Sequence, residues 1–103
     1  MFTKEEITIL QDAIRKCGIR TQINKAKEEL SELHLELDRL QSSPFKTNDA
    51  AIITEIADVT IMCHQLSMIY GEDEVKKKID YKIKRLETRL LCLPEPNKQY
   101  ESK

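Results

Sequence analysis

The sequence has little of what breaks helices or builds sheets. It holds two glycines, three prolines, no tryptophan, and aromatics at 5% of its 103 residues. That scarcity argues against a β-rich chain and favours helices. Cys17, Cys63 and Cys92 are odd in number and lack CxxC spacing, so nothing points to a disulfide framework, and Cys63 reads as a small buried hydrophobe of an apolar helix. An excess of one charge is also missing. Seventeen basic against 18 acidic side chains give a net charge of −1, which speaks against a general nucleic-acid binder. The start, MFTKEEITIL, carries charges where a signal peptide needs an apolar core. The most apolar run, 50–71, is interrupted by Glu55 and Asp58 before it reaches the length of a membrane span. These readings predict a reducing, cytoplasmic setting without a membrane partner.

What is present is helical periodicity. The first expected helix is Lys4 to Lys16, with Ile7, Leu10, Ile14 and Cys17 at three- and four-residue spacing. Thr3 and Glu6 fit a capping box there, and Gly18 is placed to close the helix in the left-handed conformation. The second is Thr21 to Leu40, striped by Ile23, Ala26, Leu30, Leu33, Leu37 and Leu40. Glu29 and Glu36 lie at the edge of that stripe, Glu32 slightly further round, and Glu28 more nearly away. His34 falls beside Leu30 on the other edge, where it reads as a core or interface residue before it reads as a ligand. The loop QSSPFKTN at 41–48 follows, with Phe45 folding back on the core or lining a pocket opening, and Asn48 or Thr47 capping the next helix. The third helix is Asn48 to Tyr70, stopped by Gly71, and the last runs from Glu72 to about Leu91, ahead of Pro94 and Pro96. The expectation is an all-α, four-helix bundle in a single domain, 1–93, with a polar tail at 94–103.

The third helix is apolar on two sides. Ala51, Val59, Met62, Leu66 and Ile69 share one side with Glu55 and Asp58, while Ile53, Ala57, Ile61 and Met68 take the other. A helix of this kind is buried on both sides, so a second subunit is expected to complete the core. Its two acidic groups then need a reason. At about 100° per residue, Glu55 and Asp58 stand one turn apart, and Glu29 and Glu32 repeat that spacing on the preceding helix. Four carboxylates on facing helices, Glu29, Glu32, Glu55 and Asp58, would form a site for magnesium or manganese, which favour oxygen ligands. No glutamate has a histidine three residues later, as a di-iron bundle would require. On the last helix Lys78, Lys82, Arg85 and Arg89 line up beside the stripe Val75, Ile79, Ile83, Leu86 and Leu90. Two readings stay open for that line: a solvated face paired with Asp80 and Glu87, or the basic border that a polyphosphate needs.

EELSE at 28–32, EIAD at 55–58 and KKKIDYKIKRLETR at 76–89 together resemble the MazG-like, all-alpha nucleoside triphosphate pyrophosphatases over roughly Thr21 to Leu91. The resemblance implies a magnesium-dependent enzyme that cleaves a nucleoside triphosphate to the monophosphate and pyrophosphate, working as a homodimer or homotetramer. It implies metal ligation by Glu29, Glu32, Glu55 and Asp58, with Glu28 completing the acidic cluster. Glu28 or Glu32 would orient or deprotonate the attacking water, and Lys78, Lys82 and Arg85 would meet the phosphates. Tyr81 would touch substrate or pack beside them. No residue reading the base is identifiable.

Two readings of other classes compete. A non-enzymatic helical oligomerisation or adaptor module would direct Glu55 and Asp58 into water or onto lysines. Nucleic-acid binding through the last helix is disfavoured by the balanced charge and the few aromatics. Within the enzyme class, a member that binds nucleotide without cleaving it carries the same ligands.

Overall fold

The computed structural model describes residues 1–43 and 48–94. The chain is all-α, with helices α1 (Lys4–Cys17), α2 (Ile19–Ser42), α3 (Asp49–Tyr70) and α4 (Glu72–Leu90). The four expected helices are present. The expectations for Phe45, Thr47 and the tail beyond Pro94 fall outside the described residues. Two compact units are distinguished, Met1–Glu72 and Asp73–Lys103.

In the first unit α1 begins with the expected capping box. Thr3 Oγ1 accepts from the Glu6 amide at 3.0 Å and the Glu6 carboxylate accepts from the Thr3 amide at 2.8 Å, which satisfies two orphan donors of the first turn. Gly18 does have the positive φ expected of it, 91°, but its ψ of 155° is extended instead of left-handed helical. As a result one glycine both ends α1 and caps α2, which starts at Ile19, two residues before its expected start. Asn48 caps α3 by accepting from the Ala51 amide at 3.0 Å, and Gly71, at φ 123°, closes it.

The main packing is between α2 and α3, with α1 against both. The side of α2 that is turned inward carries Gln22, Ala26, Glu29, Leu33, Glu36 and Leu40, all buried or partly buried. Their alternating spacing of four and three is that of a helix–helix seam. Leu30 and Leu37, expected in the stripe, are 48% and 44% exposed. On α3 the matching series is Ala51, Glu55, Asp58, Met62, Gln65 and Ile69. Here too carboxylates occupy positions normally given to leucine.

Two buried glutamines attach α1. Gln65, 3% exposed, donates from Nε2 to the Leu10 carbonyl at 3.1 Å, and Gln22 donates to the Ala13 carbonyl at 3.4 Å. Their amides are satisfied by α1 backbone, as a buried polar group requires. We expect Gln65→Ala to cost about 1–3 kcal/mol, through a lost hydrogen bond and a cavity, read as a lower urea midpoint with the slope unchanged. No change in midpoint would show that α1 is held by other contacts.

The rest of the described core is thin. Ala26 and Met62 are the only buried apolar residues among those described, at 2% and 5% exposure. The outer side of α3 leaves Ile53 65% exposed, with Ala57 and Ile61 also exposed. All three cysteines are free and exposed, so Cys63 corrects the expectation of a buried hydrophobe: it projects from the outer side of α3, away from the seam. His34 is exposed in the single chain and faces Asp38 at 3.3 Å, which corrects the core half of its expectation. By length and composition α3 meets the test for a membrane span, with a mean hydropathy of 1.3. Against that stand its packing on α2 and the carboxylates in its middle, which are costly at the centre of a bilayer.

The second unit contains α4 beyond its first residue. Its apolar residues Ile79, Ile83, Leu86 and Leu90 are exposed.

Candidate functional site

The seam between α2 and α3 brings carboxylates together midway along its length. Glu29, Glu55 and Asp58 each place an oxygen so that the three lie within 4.8 Å of one another, and all three side chains are partly buried. The cause is local and geometric. Glu55 and Asp58 are one turn apart on α3, and the phase of α2 turns Glu29, not Leu30, toward them.

Glu55 is the member most affected. Its Oε2 is shut off from solvent and has no hydrogen-bond partner. Burial of the carboxyl, then the charges of Glu29, Asp58, Glu32 and Glu36, push its pKa above the ordinary value of 4.5. The same carboxyl that has lost water therefore also faces like charges.

The other predicted residues take different places. Glu32 is exposed and lies outside the three-oxygen cluster, although its charge is felt at Glu55. Glu28 is exposed, with Lys25 Nζ 4.0 Å from its Oε2. An open groove lined by Asn24, Lys27, Glu28, Glu29, Ser31 and Glu32 runs along this side of α2. Glu36 is the residue that sequence reasoning placed at the stripe edge without assigning it a role. Its side chain is 15% exposed, it is paired with Arg39, and its charge reaches Glu55. The signal was its seven-residue spacing from Glu29, a full repeat of the seam.

Lys78, Lys82 and Arg85 are exposed on α4. Asp80 pairs with Lys76 at 2.6 Å and Glu87 with Lys84 at 3.2 Å. Among the described residues, no ion pair uses Lys78, Lys82, Arg85 or Arg89. The guanidinium of Arg85 is 5.9 Å from the Tyr81 ring centre.

No family model, curated protein or solved structure matches this chain. The case for function therefore rests on the residues themselves.

The arrangement suits a hard divalent cation. Three carboxylates, one with an orphaned oxygen, form an all-oxygen donor set that repels itself when empty and is relieved by a cation. Magnesium accepts a few carboxylates and keeps its other positions for water or phosphate, so three partly exposed ligands fit it. The feature that distinguishes the adaptor reading, Glu55 and Asp58 in water or on lysines, is not observed: they turn toward Glu29.

Proposed function

We propose that this protein is a MazG-like, magnesium-dependent nucleoside triphosphate pyrophosphohydrolase that works as a homo-oligomer. The observation that carries the reading is the convergence of Glu29, Glu55 and Asp58, together with the buried, unpartnered Oε2 of Glu55. Carboxylates in the seam of a small helical protein cost stability without a cation, and they sit in the EELSE and EIAD segments that resemble the family signature.

Glu29, Glu55 and Asp58 would hold the ion, with Glu32 reaching it from one turn further along α2. Magnesium or manganese bound there supplies charge neutralisation at the phosphates and a more acidic water. Glu28 or Glu32, exposed beside the groove, orients or deprotonates that water. The resemblance assigns contact with the phosphates to Lys78, Lys82 and Arg85, which the α4 carboxylates do not engage. The exposed outer side of α3 supports the oligomeric part of the reading, because an apolar helix packed on only one side leaves the other to a second subunit.

The test is pyrophosphate release from a panel of canonical and modified nucleoside triphosphates, with magnesium, manganese or chelator. Metal-dependent release in equal amounts with the monophosphate is the expected result. No release from any substrate by folded, oligomeric protein would overturn the enzymatic reading and return the chain to a binding or scaffold role.

A further inference from the structure

We propose that Lys25 is the built-in counter-cation of the carboxylate cluster and that it competes with a divalent ion for Glu29. This rests on the metal reading above and adds a residue that controls how readily the site loads. Lys25 Nζ lies 3.3 Å from Glu29 Oε1 and 4.0 Å from Glu28 Oε2. Among the described residues, no other lysine or arginine lies within 4.0 Å of a carboxylate oxygen of Glu28, Glu29, Glu55 or Asp58.

The two partners differ in freedom. Glu29 is held in the seam with 13% of its side chain exposed, whereas Lys25 is 55% exposed. The anion is fixed by packing and the cation rides on a flexible four-carbon stem, so the lysine is the partner that can leave. A lysine placed four residues before a glutamate is also the weaker of the two orientations of a helix pair, so the helix loses little when the pair opens.

A single ammonium also serves the cluster incompletely. It reaches Glu29 and leaves Glu55 Oε2 without a partner. A divalent ion accepting all three carboxylates relieves both, and it competes with Nζ for the negative charge of Glu29. Glu28, at 4.0 Å, is a second acceptor within reach of Lys25, on the side of the open groove.

The test is manganese binding to the full chain without substrate, followed by the electron paramagnetic resonance signal of free manganese. Wild type, Lys25→Met, Lys25→Arg and Asp58→Asn are compared, with circular dichroism to confirm the helices. Lys25→Met is expected to bind manganese roughly three- to tenfold more tightly at low salt, from removal of one nearby positive charge. The gain should shrink at high ionic strength, and Lys25→Arg should stay near wild type. Unchanged or weaker binding by Lys25→Met, with binding still lost in Asp58→Asn, would overturn the role of Lys25 and leave the metal site standing. Manganese binding that is absent in wild type, or indifferent to Asp58→Asn, would overturn the metal site and Lys25 together.

Discussion

Glu55→Gln and Asp58→Asn are each expected to lower metal-dependent pyrophosphate release by a hundredfold or more, on the order of the loss seen when a metal site is disturbed, with helix content unchanged by circular dichroism. The two residues share one turn of α3 and converge with Glu29, so either change removes a ligand without removing packing volume. Normal turnover by either variant would sink the metal role. Glu55→Gln has a second expected effect, opposite in sign, on the metal-free protein. The raised pKa of Glu55 means that the folded chain holds this proton more tightly than the unfolded chain does. Its full contribution to stability is present below the ordinary value of 4.5, declines as pH rises through it, and levels off above the raised value. Glutamine carries no charge to desolvate. In chelator at neutral pH the variant should therefore melt at or above the wild-type temperature, and the gap should close in acid. Added magnesium should raise the wild-type melting temperature only. A variant that melts lower in chelator would show that the Glu55 carboxylate stabilises the fold instead of straining it.

Ile53→Glu should separate the single chain from the proposed assembly. In the single chain Ile53 is 65% exposed, and a substitution on such a surface changes stability by about 0.5 kcal/mol or less. In the proposed oligomer the same position lies against a second subunit, where an unpaired carboxylate is heavily penalised. Sedimentation equilibrium is expected to find wild type as a dimer or tetramer and the variant as a monomer, with a melting temperature lower by roughly 10 °C or more, as a loss of a few kcal/mol gives in a chain of this size. Identical association and melting would exclude the Ile53, Ala57 and Ile61 side from any interface. The thinness of the core makes the effect large: Ala26 and Met62 are the only buried apolar residues among those described.

Residue type and spacing made the helices legible. Thr3 and Glu6 marked the start of α1, Asn48 the start of α3 and Gly71 its end, because caps are local events decided by a few neighbouring groups. Ile53, Ala57 and Ile61, expected on a second buried side of α3, are exposed in the single chain. Other features were not legible. Gln22 and Gln65 are buried in the structure although a glutamine by itself reads as surface; they are buried because backbone carbonyls of α1 accept their amides, and nothing local reports that partner. Cys63 and His34 went the other way. Leu33 and Leu35 flank His34 and Met62 precedes Cys63, but the helices on which they sit face inward along a different line.

By itself, then, the sequence determined four helices, their caps, and two pairs of carboxylates at one-turn spacing on adjacent helices. Only the tertiary structure decided which of those carboxylates meet. In α2 the apolar side chains and the acidic ones lie on neighbouring lines, and periodicity alone permits either line to face α3. Packing chose the line through Gln22, Ala26, Glu29, Leu33 and Glu36, leaving Leu30 and Leu37 outward. That rotation brings Glu29 to Glu55 and Asp58 and leaves Glu28 and Glu32 at the rim. Spacing along a helix is a property of one segment, whereas the phase of two helices is set by side chains distant in sequence that must fill one seam.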